Sequence, residues 1–311
     1  MKKVIVTGAT GLIGLALIKE CIRHGWKVYA VVRPKSLRKN VLPKNSLLNL
    51  IECDLKDLKN LKNIISEKCD VFYHLGWGHT GAAKNLDIKY QIENINFTID
   101  AVRVANELGC QLFVGAGSQA EYGNLDIDKI SPECPTNPKI AYGICKLSAG
   151  KLAEIECNKL GINFVWIRIF STYGVNDKKD MLMGSLIQKM LVGEHISMTK
   201  GIQQWDYLYC DDAGRAFYLV GEKCKFNAVY CLGSGIKKPL KEFVEIVAEK
   251  IGYNREIGFG EIPYNDSSVM NLCADISTLT RDTGFIPEIP FEEGIERYIC
   301  YIKDNEIYRC S

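Results

Sequence analysis

The sequence lacks an excess of charge of either sign, and it lacks a long apolar run. Its 311 residues include 39 basic and 37 acidic side chains, which gives a formal net charge of +2 at pH 7. A dedicated nucleic-acid binder carries a strongly basic face, so this balance argues against that class. A membrane-spanning helix needs roughly 18 consecutive apolar residues, which no stretch provides. The start, MKKVIVTGAT, is typical of a short strand and not of a signal peptide. We expect a soluble, cytoplasmic protein with no nucleic-acid or membrane partner.

The spacings that mark disulfide frameworks and metal sites are also missing. The 13 cysteines are odd in number, lie scattered from Cys21 to Cys310, and form no C-x-x-C pair. This pattern predicts reduced thiols that pack as small apolar residues. The four histidines show no H-x-x-x-H spacing, so we expect no metal. His74, at the end of a predicted strand, is expected to be a buried packing residue.

The first 170 residues alternate short β-branched runs with longer segments of helical periodicity. This alternation predicts a parallel sheet covered by helices on both faces, an α/β fold of the doubly wound Rossmann type. Long helices are predicted at Ile88 to Leu108 and at Ala141 to Leu160, with Gly109 and Gly161 at their C-terminal ends. The predicted strands are Lys3 to Thr7, Lys27 to Val32, Leu48 to Cys53, Val71 to Leu75, Leu112 to Gly115 and Phe164 to Ile169.

The alternation loosens after residue 174, which predicts a second, smaller lobe. Helical patterns at Met181 to Leu191, Asp211 to Gly221 and Leu240 to Ile251 are separated by loops, with a strand at Ala228 to Leu232. We expect residues 1–174, with returning segments at about 207–235, to form a dinucleotide-binding Rossmann domain. Residues 175–206 and 236–311 are expected to form a smaller α/β substrate-binding lobe.

Three glycines recur at every third position of TGATGLIG, residues 7–14, between an apolar run and a helical pattern. Without side chains at Gly8, Gly11 and Gly14, backbone N–H groups and the helix dipole can approach a pyrophosphate. The stretch therefore predicts a dinucleotide site. A tight turn with close helix packing is the alternative that these residues leave open.

Two other positions bear on the adenosine end of such a ligand. Asp54, after the third predicted strand, can meet an adenine amino group, or it can begin a helix instead. Arg33 lies 19 residues after Gly14, where an acidic residue would bind the ribose hydroxyls of NAD. A guanidinium there can bind a 2′-phosphate, with Lys35 or Arg38 assisting. We expect a preference for NADP(H), with NAD(H) also possible; a solvated basic loop is the alternative.

The stretch YGICK places Tyr142 and Lys146 four residues apart on a predicted helix, and therefore on one face. A phenol has a pKa of about 10, and lowering it by three units takes about 4 kcal/mol, which a neighbouring ammonium can supply in part. Such a pair can exchange a proton with a carbonyl or carbinol oxygen. A solvated helix face is the ordinary alternative for this spacing.

These motifs together resemble the extended short-chain dehydrogenase/reductase family, which comprises NAD(P)-dependent nucleotide-sugar epimerases, dehydratases and reductases. The resemblance runs nearly end to end and includes TGATGLIG, GSQAEYG at 117–123, YGICK, IRIFSTYG at 167–174, QQWDYLYCDDAGRA at 203–216 and YCLGSG at 230–235. It implies that Tyr142 is the general acid/base. It further implies that Lys146 holds the nicotinamide ribose and lowers the Tyr142 pKa, and that Ser118 hydrogen-bonds the substrate oxygen; a capping or turn serine is the alternative for Ser118.

The resemblance also implies binding residues. Those for the cofactor, beyond Arg33, Lys35 and Arg38, are Gly8, Thr10, Gly11, Leu12, Ile13, Gly14, Asp54, Leu55, Leu75, Gly76, Tyr142, Lys146 and Ile169. Those for a nucleotide-sugar substrate are His79, Gln119, Ser171 and Trp205; His79 lies in a glycine-containing loop, where a solvated side chain is the alternative.

The sequence departs from the family pattern at several positions. Gln119 and Ala120 replace the Asp-Glu pair of the 4,6-dehydratases, which argues against dehydration. Trp205 and Asn265 stand where arginines often bind the substrate diphosphate. The remaining cations are Arg168, Lys200 and Arg215, each of which can instead be an ion-pair partner.

These features favour reduction of a keto group on a nucleotide-linked sugar, a 4-keto-6-deoxy sugar by preference. A nucleotide-sugar 4-epimerase with tightly bound NAD is the alternative, and a non-catalytic dinucleotide sensor is a third reading. The two long predicted helices resemble those through which family members pair, so we expect a homodimer.

Overall fold

A computed structural model of the chain describes residues 1–78, 87–178, 180–265 and 268–307, with side chains up to residue 304. The strands in this part of the chain are β1 (Lys3–Thr7), β2 (Lys27–Val32), β3 (Leu48–Glu52), β4 (Val71–His74), β5 (Leu112–Ser118), β6 (Asn163–Ile169), β7 (Ser171–Tyr173), β8 (Ile196–Met198), β9 (Gln204–Trp205), β10 (Tyr207–Tyr209), β11 (Ala228–Leu232), β12 (Lys238–Pro239) and β13 (Ile257–Phe259).

The α-helices follow the same chain order. They are α1 (Leu12–Arg23), α2 (Leu61–Ile64), α3 (Ile88–Glu107), α4 (Ala141–Leu160), α5 (Leu182–Leu191), α6 (Cys210–Lys223), α7 (Leu240–Ile251), α8 (Ser277–Thr283) and α9 (Phe291–Ile307). Short 3₁₀ helices lie at Leu37–Val41, Leu55–Asn60 and Gln119–Glu121. In the described residues, no helix is long and apolar enough to span a membrane.

Seven strands form one parallel sheet in the order β11-β6-β5-β4-β1-β2-β3. The chain winds outward from β1 in one direction through β2 and β3, and in the other through β4, β5 and β6. The strand order therefore reverses between β1 and β4, and a crevice opens there at the carboxyl edge of the sheet. This architecture confirms the predicted doubly wound, Rossmann-type α/β fold.

The side-chain alternation of β1 explains why the sheet is covered on both faces. Val4 and Val6 pack into a core shared with α1 and α6, while Ile5 faces the opposite core, under α3 and α4. All three side chains are completely buried. A strand buried on both faces needs apolar residues at every position, which is the continuous run that the sequence shows.

A third apolar core lies outside the main sheet. Helices α5, α7 and α9 pack around residues such as Phe243, Phe291 and Tyr173. Two-stranded pairs β7–β10, β8–β13 and β9–β12 accompany these helices. Two later elements lie with the main sheet instead: α6 packs against α1, and β11 pairs with β6. The predicted domain limits, with returning segments at about 207–235, stay a prediction.

The main difference from the predicted elements is at β5, which continues to Ser118 instead of ending at Gly115. Glycine is unfavourable in the interior of a strand. Here, however, β6 pairs with this stretch through Gly117↔Arg168 and Ser118↔Ile169. The neighbouring strand therefore overrides the local preference and carries Ser118 to the carboxyl edge of the sheet.

Candidate active site

The glycine loop lies at the crevice between β1 and β4. Gly8 has a φ of +69°, and a Cβ there would come within 2.7 Å of the Leu75 carbonyl and 2.8 Å of the Gly76 nitrogen. A Cβ at Gly14 would overlap the Gly8 carbonyl oxygen. Both positions therefore require glycine, and the loop lies directly against the chain that leaves β4.

The loop leads into α1 with exposed helix-terminal N–H groups. Gly11 is the N-cap residue, and no side chain caps this end. Leu12 and Ile13 begin the helix and are half-buried, while the Thr10 carbonyl accepts a 3.2 Å hydrogen bond from Asn176 Nδ2. A helix start without a side-chain cap, behind a turn with glycines at positions 8 and 11, fits the pyrophosphate of a dinucleotide.

Further predicted cofactor residues meet at the same sheet edge. The Gly76 N–H donates to Thr7 Oγ1 at 3.1 Å, and Gly76 packs near the Leu55 side chain. Ile169 ends β6 beside Ser118. Asp54 caps the 3₁₀ helix Leu55–Asn60 by accepting from the Lys56 N–H at 3.2 Å, so its helix-starting role is present, and an adenine contact stays a prediction.

The basic segment after β2 divides into engaged and unengaged cations. Arg38 donates to the Asn176 carbonyl oxygen at 2.7 Å, and Lys39 forms an ion pair with Glu52. Arg33 and Lys35 are exposed, and neither makes an ion pair with another described residue. Arg33 and Lys35, directly after β2, therefore remain available to an anion, as does Lys44 farther along the segment.

Helix α4 carries Tyr142 and Lys146 on one face, as their spacing predicts. Lys146 is 4% exposed, and its Nζ donates to the Ala116 carbonyl oxygen at 2.6 Å. It also lies 3.8 Å from the centre of the Trp77 ring. Burial lowers the pKa of Lys146 to about 7, although the negative charge of Glu121 opposes this shift.

The pKa of Tyr142 is raised, whereas the family resemblance implies that Lys146 lowers it. Burial raises the pKa of Tyr142 above its ordinary value, the Ser118 hydroxyl acts to lower it, and the Glu121 charge raises it. Lys146 Nζ lies 5.9 Å from the centre of the Tyr142 ring, since it is held by Ala116 and Trp77. Burial is therefore the largest influence on the Tyr142 pKa, and it acts against the lowering that was expected from Lys146.

Ser118 lies beside Tyr142 as a hydrogen-bond partner, and Gln119 follows it in the chain. Ser118 is 8% exposed and begins the 3₁₀ helix Gln119–Glu121, where its hydroxyl accepts from the Ala120 N–H at 3.2 Å. Gln119 is half-buried at the start of that helix. The structure thus brings together Ser118, Tyr142 and Lys146, although their catalytic roles stay a prediction.

Among the predicted substrate residues, Trp205 and Ser171 are in contact: Trp205 Nε1 donates to Ser171 Oγ at 2.8 Å. Asn265 is exposed. His79 falls outside the described residues, so its predicted substrate role stays a prediction.

The three cations proposed for diphosphate recognition differ in their surroundings. Arg168 pairs with buried Glu121, and Arg215 pairs with Asp212 and Glu288. Their alternative role as ion-pair partners is therefore the one found. Lys200 is exposed.

His74 is buried, as expected, and its Nδ1 lies 3.0 Å from Thr7 Oγ1. Burial, followed by the charge of Lys146, lowers the pKa of His74 to about 3, so the ring is neutral. Within the part of the chain that the structure describes, no group of three or more His, Cys, Asp or Glu side chains is arranged to hold a metal ion.

Sequence reasoning missed two residues at this site. Trp77 makes an edge-to-face contact with Tyr142, with ring centres 6.1 Å apart, and lies over Lys146. Its place three residues after His74, in a glycine-containing loop, was a usable signal. Glu121 is fully buried beneath Ser118; the Ser-x-x-Glu spacing was its signal, which is typical of a capping box.

Comparisons with known proteins agree with this geometry. The family model described as "NAD dependent epimerase/dehydratase family" matches residues 4–233. The chain is 25% identical to an uncharacterized UDP-glucose epimerase of Bacillus subtilis, over 96% of this chain and 98% of that protein. It is 24% identical to a dTDP-4-dehydro-6-deoxyglucose reductase of Escherichia coli, over 96% and 97%.

The fold is also shared with solved structures. A UDP-glucose 4-epimerase from Thermotoga maritima, crystallised with UDP-glucose, superimposes with a TM-score of 0.88 at 22% identity, over 98% of this chain and 99% of that one. The matched family model covers well over half of the 311 residues. The chain therefore belongs to the NAD-dependent epimerase/dehydratase family of extended short-chain dehydrogenases/reductases.

Proposed function

We propose that this enzyme reduces a keto group of a nucleotide-linked sugar, a 4-keto-6-deoxy sugar by preference, with NADPH. The observation that carries the proposal is the pair of exposed cations, Arg33 and Lys35, directly after β2, which suit the 2′-phosphate of NADP(H). Reduction of a carbonyl needs a proton donor at the start of the reaction, and a protonated phenol provides one. NADPH commonly drives biosynthetic reductions, whereas a 4-epimerase keeps its NAD bound and regenerates it, so these cations favour the reductase.

The residues of this chain divide the work of proton transfer. A bound reduced nicotinamide supplies the hydride to the carbonyl carbon. Ser118 donates a hydrogen bond to the carbonyl oxygen, Tyr142 gives that oxygen its proton, and Lys146 holds the ribose. Gln119 and Ala120 offer no second acid and base, which supports reduction over dehydration.

The test is to incubate the purified protein with NADPH and a panel of 4-keto nucleotide sugars. We expect stoichiometric loss of the reduced-nicotinamide absorbance with at least one of them. Inversion of a nucleotide sugar without NADPH consumption would contradict the proposal and favour the alternative, a nucleotide-sugar 4-epimerase with tightly bound NAD. The similarity to epimerases of Bacillus subtilis and Thermotoga maritima supports that alternative. Binding of the dinucleotide without turnover of any sugar would point to a sensor.

We expect Arg33→Ala to weaken NADPH binding by roughly 1.5–3 kcal/mol, the range for hydrogen bonds to a charged group, and to leave NADH binding nearly unchanged. The reason is that Arg33 is exposed at the end of β2, with Lys35 beside it, whereas Arg38 is already bonded to Asn176. Calorimetric dissociation constants check this, with Lys44→Ala in the same basic segment as the matched control. Tighter binding of NADH than of NADPH by the unmodified enzyme would overturn the preference.

We also infer that the enzyme is a homodimer formed through α3 and α4. These helices pack against each other and expose Ile92, Ile144, Leu152 and Ile155, the last at 64% exposure. Ile155→Lys should give a monomer in light scattering at micromolar concentration, because a buried ammonium would oppose pairing. Val192→Lys, at a comparably exposed position near the end of α5, should leave the dimer intact. A monomeric unmodified protein would refute the inference.

Location in the cytoplasm stays a prediction. It is supported by the cysteines, because the twelve that the structure describes are free thiols.

A further inference from the structure

Glu121 is a completely buried carboxylate directly beneath Ser118. Its Oε1 accepts hydrogen bonds from the Ser118 backbone N–H at 2.8 Å and from Trp166 Nε1 at 3.0 Å. Its Oε2 accepts from Arg168 Nε at 2.8 Å. Both oxygens are thus bonded, and their donors belong to the end of β5 and to β6. A carboxylate buried in this way is held in one position, because a shift would break hydrogen bonds to its negative charge inside the protein.

Arg168 is itself fixed by bonds beyond Glu121. Its Nη1 donates to the Tyr122 hydroxyl at 2.8 Å and to the Pro132 carbonyl at 3.1 Å. Its backbone pairs with Gly117 in the register between β5 and β6. The guanidinium therefore gives Glu121 a rigid partner on the central sheet, well away from solvent.

Trp166 is fixed by packing. The indole occupies space that side chains at Gly115, Gly117 and Gly150 would otherwise fill, because a Cβ at any of these positions would overlap the ring. These glycines come from β5 and α4, so the ring is held between the strand that ends in Ser118 and the helix that carries Tyr142. Its Nε1 is thereby held toward Glu121.

The hydrogen bonds among Glu121, Trp166 and Arg168 are linked to the reacting groups through Ser118. The Ser118 side chain and Glu121 form a reciprocal capping box, and the Ser118 hydroxyl is a hydrogen-bond partner of Tyr142. A Cβ at Gly143 would overlap the Ala120 carbonyl oxygen, so the first turn of α4 lies directly against the same segment. A displacement of residues 119–121 would therefore move the serine relative to the tyrosine.

We propose that Glu121 is a positioning residue, which ties the segment after β5 to β6 and thereby holds the Ser118 hydroxyl in place against Tyr142. The effect of this positioning on catalysis rests on the proposed function, in which Ser118 and Tyr142 act on the substrate oxygen. The carboxylate contacts Ser118 through the backbone, so it acts on the reaction through the serine.

The test compares two double variants that both lack the buried charges, Glu121→Gln/Arg168→Met and Glu121→Val/Arg168→Met. The glutamine keeps an oxygen that can accept from the Ser118 N–H, and the valine does not. We expect kcat of the valine variant to be about 10-fold below that of the glutamine variant, with KM within about twofold, since orientation affects the reacting step. When Ser118→Ala is added to each, the difference should disappear, because coupled residues are not additive.

Crystal structures of the two double variants provide a readout that does not depend on the reaction. The Ser118 hydroxyl should stay beside Tyr142 in the glutamine variant and move away from it in the valine variant. Equal serine positions in the two structures, or a kcat difference that persists without the Ser118 hydroxyl, would overturn the inference. If the unmodified enzyme reduces no keto sugar, the proposed function fails, while the two crystal structures still decide the positioning role.

Discussion

Replacing Tyr142 by Phe is expected to lower kcat by roughly 10²–10⁴-fold, the usual contribution of a positioned general acid. The substitution removes only the hydroxyl, so the ring keeps its edge-to-face contact with Trp77, with centres 6.1 Å apart. Steady-state rates with the best keto sugar measure the loss. Because Lys146 bonds to the Ala116 carbonyl independently of the phenol, the dissociation constant of the cofactor should barely change.

The matched control for this prediction is Tyr264→Phe. That hydroxyl is also hydrogen-bonded, to Gln203 Oε1 at 2.6 Å, but it lies outside the seven-stranded sheet. We expect a change in kcat of less than about threefold there, since no proton transfer is assigned to it. Near-normal turnover of the Tyr142 variant would remove Tyr142 from the mechanism.

The second large effect concerns stability. Arg168→Met should lower the free energy of unfolding by about 3–5 kcal/mol, because it leaves the Glu121 carboxylate buried without a counter-charge. Glu121 is 0% exposed and its pair with Arg168 measures 2.8 Å. Urea unfolding followed by circular dichroism measures the change in midpoint.

A surface ion pair provides the control for Arg168→Met. Arg281 pairs with Asp282 at 2.8 Å, but the Arg281 side chain is 71% exposed, so Arg281→Met should cost less than about 1 kcal/mol. Adding Glu121→Gln to Arg168→Met should recover most of the lost stability, because the unpaired charge is then removed. Equal effects of the Arg168 and Arg281 substitutions would mean that the buried pair does not hold this part of the molecule together.

The fold could be predicted from local patterns where those patterns were strong. The helix from Ala141 to Leu160, closed by Gly161, has the predicted limits, because apolar periodicity and a glycine C-cap coincide there. The limits of β5 could not be predicted, because they depend on pairing with β6 and not on the glycine-rich sequence of β5 itself. The family resemblance is confirmed by the matched family model, whereas the strand order is known only from the structure.

The residues proposed to react could be predicted from the sequence, but the buried ion pair that supports them could not. Tyr142 and Lys146 are four residues apart, so local spacing places them together. The Glu121–Arg168 pair joins residues 47 positions apart, and no local pattern predicts such a contact. The direction of the Tyr142 pKa was also beyond the sequence, because it depends mainly on how deeply the phenol is buried, which only the tertiary structure sets.

The central claim is that this enzyme moves hydride from NADPH to the keto carbon of a nucleotide sugar while Tyr142 supplies the proton. Its most direct test uses NADPH carrying deuterium at the transferable position of the nicotinamide ring, with mass spectrometry of the sugar product. We expect one deuterium per product molecule, on the carbon that was the carbonyl, in step with the NADPH consumed. A turned-over nucleotide sugar without deuterium would contradict the account, because its hydride would then have come from a cofactor that never left the enzyme.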